Sequence, residues 1–110
     1  MFSITDGKGF QIKFENGYTV SCQFGASNYC ENYYRHLEPD YCYGEERRES
    51  IYSSKDCEVA IWNKKDANNW VTGKIVEALG MDSTEDMVQA NVTPEEVTKI
   101  LSYVSTLKAV

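Results

Sequence analysis

The stretch FQIKFENGYTVSCQF, Phe10 to Phe24, decides the fold. Phe10, Ile12 and Phe14 alternate with Gln11, Lys13 and Glu15. Tyr18, Val20, Cys22 and Phe24 alternate with Thr19, Ser21 and Gln23. A strand of period two has one buried face and one wet face. Two turns compete for the connection. A two-residue Asn16-Gly17 loop pairs Phe14 with Thr19 and Glu15 with Tyr18, mixing apolar and polar groups on both faces. A three-residue Glu15-Asn16-Gly17 loop pairs Phe14 with Tyr18, Ile12 with Val20 and Phe10 with Cys22, which collects every apolar group on one face. The second arrangement is predicted, with Gly17 in the left-handed conformation. A one-residue slip would expose that whole face, so burial selects the register.

Working outward, Phe2 and Ile4 read as a short first strand. A loop over Gly7 to Gly9 pairs Ile4 with Ile12 and Phe2 with Phe14, carrying the apolar face across three strands. Asp6-Gly7-Lys8-Gly9 is turn chemistry and not a phosphate cradle, because no GxxxxGK motif and no following helix accompany it. Farther on, CEVAIW (Cys57 to Trp62) reads as a strand with Cys57, Val59 and Ile61 on one face and Glu58, Ala60 and Trp62 on the other. Trp70-Val71-Thr72 reads as its hairpin return. KIVEAL, residues 74 to 79, stays open between a strand and one short helix ended by Gly80. Met87 to Val92 reads as another short strand.

The C-terminus carries the clearest helix signal. Thr93 is the N-cap, Pro94 the first helical residue and Glu96 the third, a capping box. Val92 can staple against Val97, and Val97, Ile100, Leu101, Val104 and Leu107 form an apolar stripe. A helix over residues 94–108 is expected to lie across the sheet face carrying Phe10, Ile12, Phe14 and Val20, with Phe14 in the core. The fold class is therefore α+β, an antiparallel β-sheet of hairpins packed against a C-terminal α-helix. With 110 residues, one domain over 1–110 is expected.

The net charge of −6 disfavours direct nucleic-acid binding through a basic surface and favours cationic surfaces or small molecules as partners. No apolar run is long enough to span a bilayer, and MFSITDGKGF lacks the pattern of a signal peptide, so a soluble cytosolic protein with no membrane partner is expected. Cys22, Cys30, Cys42 and Cys57 share no Cys-x2-Cys spacing and are expected to be thiols. His36 lies six residues from both Cys30 and Cys42, which is not a zinc-finger ligand pattern. No metal or cofactor is expected. No nucleophile with a base, an orienting group and an oxyanion donor emerges from the residues, so no catalytic residue is assigned and a non-enzymatic protein is expected.

Residues 25 to 56 show no sustained helical or strand period, yet hold six of the eight tyrosines. Tyr and Arg suit interfaces because they join large area to a polar or charged tip. Asn28, Tyr29, Tyr33, Tyr34, Arg35, Tyr41, Tyr43, Arg47 and Arg48 are thus the candidate binding residues. Closure of the open edge of a small core is the alternative for the tyrosines. Between Ile75 and Thr98 lie six carboxylates and no Lys or Arg. Glu85 and Asp86 at the centre of this segment join the candidates as an imitation of a phosphate backbone, the alternative being a solvated acidic face.

The opening MFSITDGKGFQIKFENGYTVSCQFGASNYCEN resembles a family of small phage-encoded accessory proteins with the pattern MFxIxxGKGFxxxFxNGxTVSxQFGxxNYCxN. CEVAIW and VTPEEVTKIL resemble that family's second strand block and C-terminal helix. The resemblance is strongest before Tyr34 and weakest over 35–56 and 75–87. It implies a phage source and the cytoplasm of a bacterial host as the setting, without implying a reaction. Small acidic phage accessory proteins often inhibit bacterial defence. The expected function is a binding protein that inhibits an anti-phage immune component in the manner of anti-CRISPR proteins, its partner a host defence protein or nucleoprotein complex. Two rivals stand beside it. One is a sponge for a cyclic or ADP-ribose-type nucleotide signal, with Arg47 and Arg48 on phosphate and a tyrosine stacked on a base. The other is a structural or virion accessory protein. A homo-oligomer is a further partner class.

Overall fold

Side-chain parity runs unbroken through the first four strands of a five-stranded antiparallel sheet, whose strands neighbour one another in chain order, and a bulge interrupts it between the fourth and the fifth. The computed structural model of the protein describes residues 1–37, 53–65, 70–83 and 87–110, with the Arg35 and His36 side chains excepted. The strands are β1 (Phe2–Ile4), β2 (Gly9–Lys13), β3 (Tyr18–Gln23), β4 (Cys57–Asn63) and β5 (Gln89–Val92). The helices are α1 (Glu31–His36), α2 (Thr72–Ala78) and α3 (Pro94–Ser105).

The central hairpin has the register that burial selects: Phe10 pairs with Cys22 and Ile12 with Val20. Its loop closes with Phe14 N–H donating to the Tyr18 carbonyl at 2.9 Å, and Gly17 adopts φ +95°. Strand β4 continues the same rows, Val20 opposite Ile61 and Cys22 opposite Val59. One face thus reads Phe2–Ile12–Val20–Ile61 and Ile4–Phe10–Cys22–Val59 across four strands. The other reads Ser3–Gln11–Ser21–Ala60.

The β1–β2 register departs from expectation by two residues. Ile4 pairs with Phe10 and Phe2 with Ile12. The reason is the turn. Asp6 (φ +46°) and Gly7 (φ +69°) take the two central positions of a primed-type turn closed by Lys8 N–H to the Thr5 carbonyl. Gly9 is released into β2, where a Cβ would collide with the Cys22 carbonyl of β3. A shift of two preserves parity, so the faces survive the change.

Strand β4 does not return through Trp70-Val71-Thr72. Thr72 opens α2, and β4 lies between β3 and β5. Beyond the end of β5, Val71 N–H donates to the Ile61 carbonyl at 2.7 Å, and the Thr72 hydroxyl accepts from Ile61 N–H at 2.9 Å. Two residues thus satisfy the strand edge without forming a strand. KIVEAL resolves as helix, with Gly80 beyond its end at φ +74°.

The C-terminal helix has its capping box: the Thr93 hydroxyl accepts from Glu96 N–H, and the Glu96 carboxylate accepts from Thr93 N–H. Replacing Thr93 with Ala should cost about 1 kcal/mol, read as a lower urea midpoint with unchanged m-value. The helix stops at Ser105 and not at 108. The Asn16 side-chain amide, from the central turn, donates to the Val104 and Leu107 carbonyls at 2.8 and 3.0 Å, holding the helix end against the hairpin. Helix α3 packs with α2 over β3 and β4, so Val20, Val59, Ile61, Val76, Ile100 and Val104 are the fully buried centre. Phe10 and Phe14 are only half-buried at its margin. Phe2 and Ile4, expected on a covered face, are exposed because neither helix extends over β1.

Candidate functional site

The segment after β3 is ordered by tertiary hydrogen bonds. Asn28 Oδ1 accepts from Gly25 N–H at 2.9 Å. The Glu58 carboxylate, on the outer face of β4, accepts from Tyr29 N–H at 2.9 Å and from the Asn28 amide at 3.4 Å. Asp56 accepts from Glu31 N–H at 2.7 Å, at the start of α1, and from the Asn91 amide at 3.1 Å. The Asn32 amide donates to the Phe24 and Ser53 carbonyls. Residues 31–36 are therefore helical where no sequence period predicts it: the ordering donors and acceptors come from distant residues.

Above this anchor the outer sheet face forms a groove of about 330 Å³. Gln11, Ser21 and Ala60 form its floor. Thr5, Asp6, Lys8, Gln23, Asn28 and Glu58 stand along one side, and Trp62, Trp70 and Val88 along the other. Trp62 and Trp70 stack at 5.7 Å with 29° between their planes, and Trp70 is 39% exposed. Gln23 is held by the Thr5 hydroxyl, which donates to Oε1 at 2.7 Å, while its own amide donates to the Ser21 hydroxyl at 3.0 Å. The Gln11 amide has no hydrogen-bond partner among the described residues, so it is available to a bound group. Asp6 and Glu58 outnumber Lys8, and the groove is acidic on balance.

The candidates from sequence divide three ways. Asn28 lines the groove, and Tyr29 is tied to its wall through Glu58. Tyr29, Tyr33 and Tyr34 form an edge-to-face chain, with centroids 5.6 and 5.3 Å apart, and Tyr29 and Tyr34 are about half exposed. Arg35 belongs to α1. Tyr41, Tyr43, Arg47, Arg48, Glu85 and Asp86 lie outside the described residues, as does Cys42. Sequence reasoning missed Trp62, Trp70, Lys8, Gln11, Gln23 and Glu58. The available signal was parity: Trp62 shares the wet face of β4 with Glu58, and a tryptophan there leaves a large apolar surface to be used.

A second hollow of about 260 Å³ lies on the core side, lined by Phe10, Cys22, Phe24, Cys57, Val92, Pro94 and Val97, with Ser54 and Asp56 at its edge. Its two free thiols, Cys22 and Cys57, are neighbours placed to share a hydrogen bond. That bond lowers Cys22 and raises Cys57 from the ordinary thiol range, and burial raises both. The buried Cys30 thiol donates to the Gly25 carbonyl. Among the described residues no three metal-ligating side chains converge, and no helix is long and apolar enough to cross a membrane. With its carboxylate engaged by Glu31 and Asn91, this hollow offers little polar recognition, whereas the outer groove offers aromatic area and hydrogen-bonding groups together. Comparison with protein-family models, with curated proteins and with solved structures finds no match to this chain.

Proposed function

We propose that this is a non-enzymatic binding protein that holds a protein partner against the outer sheet face, and that the partner is a component of bacterial anti-phage defence. The observation that carries the binding role is the half-open Trp62–Trp70 stack set beside the unengaged Gln11 amide. Tryptophan anchors dominate protein interfaces because they bury large area at little conformational cost. The defence setting is supported by the resemblance of the N-terminal stretch to phage accessory proteins. The balance of Asp6 and Glu58 over Lys8 suits a cationic partner surface and opposes the phosphates of a nucleotide signal.

Affinity capture from phage-infected bacterial lysate, with mass spectrometry of proteins and small molecules, tests this reading. The expected result is a defence protein retained by the native chain and bound at least tenfold more weakly by Trp70→Ala, or roughly 1.4 kcal/mol, with the thermal midpoint little changed. An ultraviolet-absorbing small ligand in place of a protein would support the nucleotide sponge. A partner bound equally well by Trp70→Ala and Gln11→Ala would remove the groove from the site.

A further inference from the structure

We propose that the free edge of β1 is a two-fold self-association surface, on which a second copy of this chain docks antiparallel and joins two five-stranded sheets into one. The surface is distinct from the groove: Phe2 and Ile4 point to the helix side of the sheet, and the groove lies on the other.

Backbone direction sets the geometry. Lys13 N–H donates to the Met1 carbonyl at 2.8 Å, and Thr5 N–H donates to the Gly9 carbonyl at 3.1 Å. With Ser3 opposite Gln11, the odd residues of β1 turn their backbone groups toward β2. The N–H and C=O of Phe2 and Ile4 therefore point outward from the sheet, and no described residue pairs with them. A second β1 placed antiparallel with Ser3 on the two-fold axis sets Phe2 opposite Ile4 of the second copy, and Ile4 opposite its Phe2. Each of these two pairs exchanges both backbone bonds, so all four outward groups on each copy are satisfied. The register is self-complementary, as a two-fold interface requires.

The side chains agree. Phe2 is 79% exposed and Ile4 86%, and both extend apolar rows that run inward to Val20 and Cys22. The edge strand Phe2-Ser3-Ile4 carries no charge, proline or bulge, the devices by which exposed edges are kept from pairing. Docking a second copy covers Phe2 and Ile4 with each other while Ser3 meets its own copy on the opposite face. Two such side chains and a short strand bury on the order of 400 Å² per copy, about half of a standard interface, so the dimer is weak and depends on concentration. A net charge of −6 on each copy opposes contact, so added salt strengthens it.

Sedimentation velocity of the full chain from about 1 μM to about 1 mM tests the proposal. The expected result is a shift from 12.6 kDa toward twice that mass, larger in higher salt, and abolished by Ile4→Lys. Ile4 is exposed, so this variant keeps its fold, checked by circular dichroism. In a Cys42→Ser background, Ser3→Cys should give a covalent dimer on mild oxidation, because residues on the two-fold axis lie within disulfide reach, whereas Gln11→Cys should not. A 12.6 kDa species at every concentration, association that Ile4→Lys leaves intact, or an open series of larger assemblies would each overturn the proposal.

Discussion

Ile61→Ala is expected to lower the free energy of unfolding by about 2–5 kcal/mol, the cost of a cavity at a site that cannot collapse. Ile61 is fully buried and pairs with Val20 on β3. Both belong to the cluster that contains Ile100 and Val104 of α3. Phe14→Ala should cost clearly less, although Phe14 is the larger side chain, because it is only half-buried at the margin. Urea melts of the two variants, compared at equal m-value, check the pair. Equal losses would mean that α3 covers Phe14 as fully as the sheet centre at Ile61, which the burial of the two side chains argues against.

Asp56→Ala is expected to cost about 2–3 kcal/mol, because hydrogen bonds to a charged acceptor exceed those between neutral groups. The buried carboxylate joins Glu31 N–H at the start of α1 to Asn91 at the β4–β5 bulge. Losing it leaves the first turn of α1 without its acceptor and loosens the tyrosine chain on that helix. Hydrogen exchange should show α1 opening before the sheet, with amides of β3 and β4 protected up to global unfolding. Asp56→Asn, which retains one carbonyl acceptor, should fall between the native chain and Asp56→Ala. Uniform loss of protection across the whole sheet would show that Asp56 supports the core and not α1.

Much of the sheet was readable because parity is a local property. The alternation over Phe10 to Phe24 admits one loop length that keeps apolar groups together, and the central register follows from that choice. CEVAIW has the same kind of alternation, so the facing of Cys57, Val59 and Ile61 was equally plain. The Thr93–Glu96 capping box was also readable, since all its atoms lie within one turn of chain. The β1–β2 loop was misjudged because two glycines compete there. Asp6-Gly7 supplies the positive φ values, while Gly9 is needed for its missing side chain against β3. Only the neighbouring strand reveals the second need.

The candidate site was less readable. Trp70 reads in sequence as part of a strand, and nothing local brings it onto Trp62. The floor of the groove combines Gln11, Ser21 and Ala60 from three strands, and its wall comes from the β1–β2 turn and from Asn28. By itself the sequence determined which face of each strand is apolar, the central hairpin register and the start of the last helix, because these depend on neighbours within a few residues. Only the tertiary structure decided where α3 lies, that 31–36 is helical, and that two tryptophans share a groove. Those outcomes rest on hydrogen bonds and packing between residues distant in the chain, such as Glu31 with Asp56 and Asn16 with Val104, for which no local period exists.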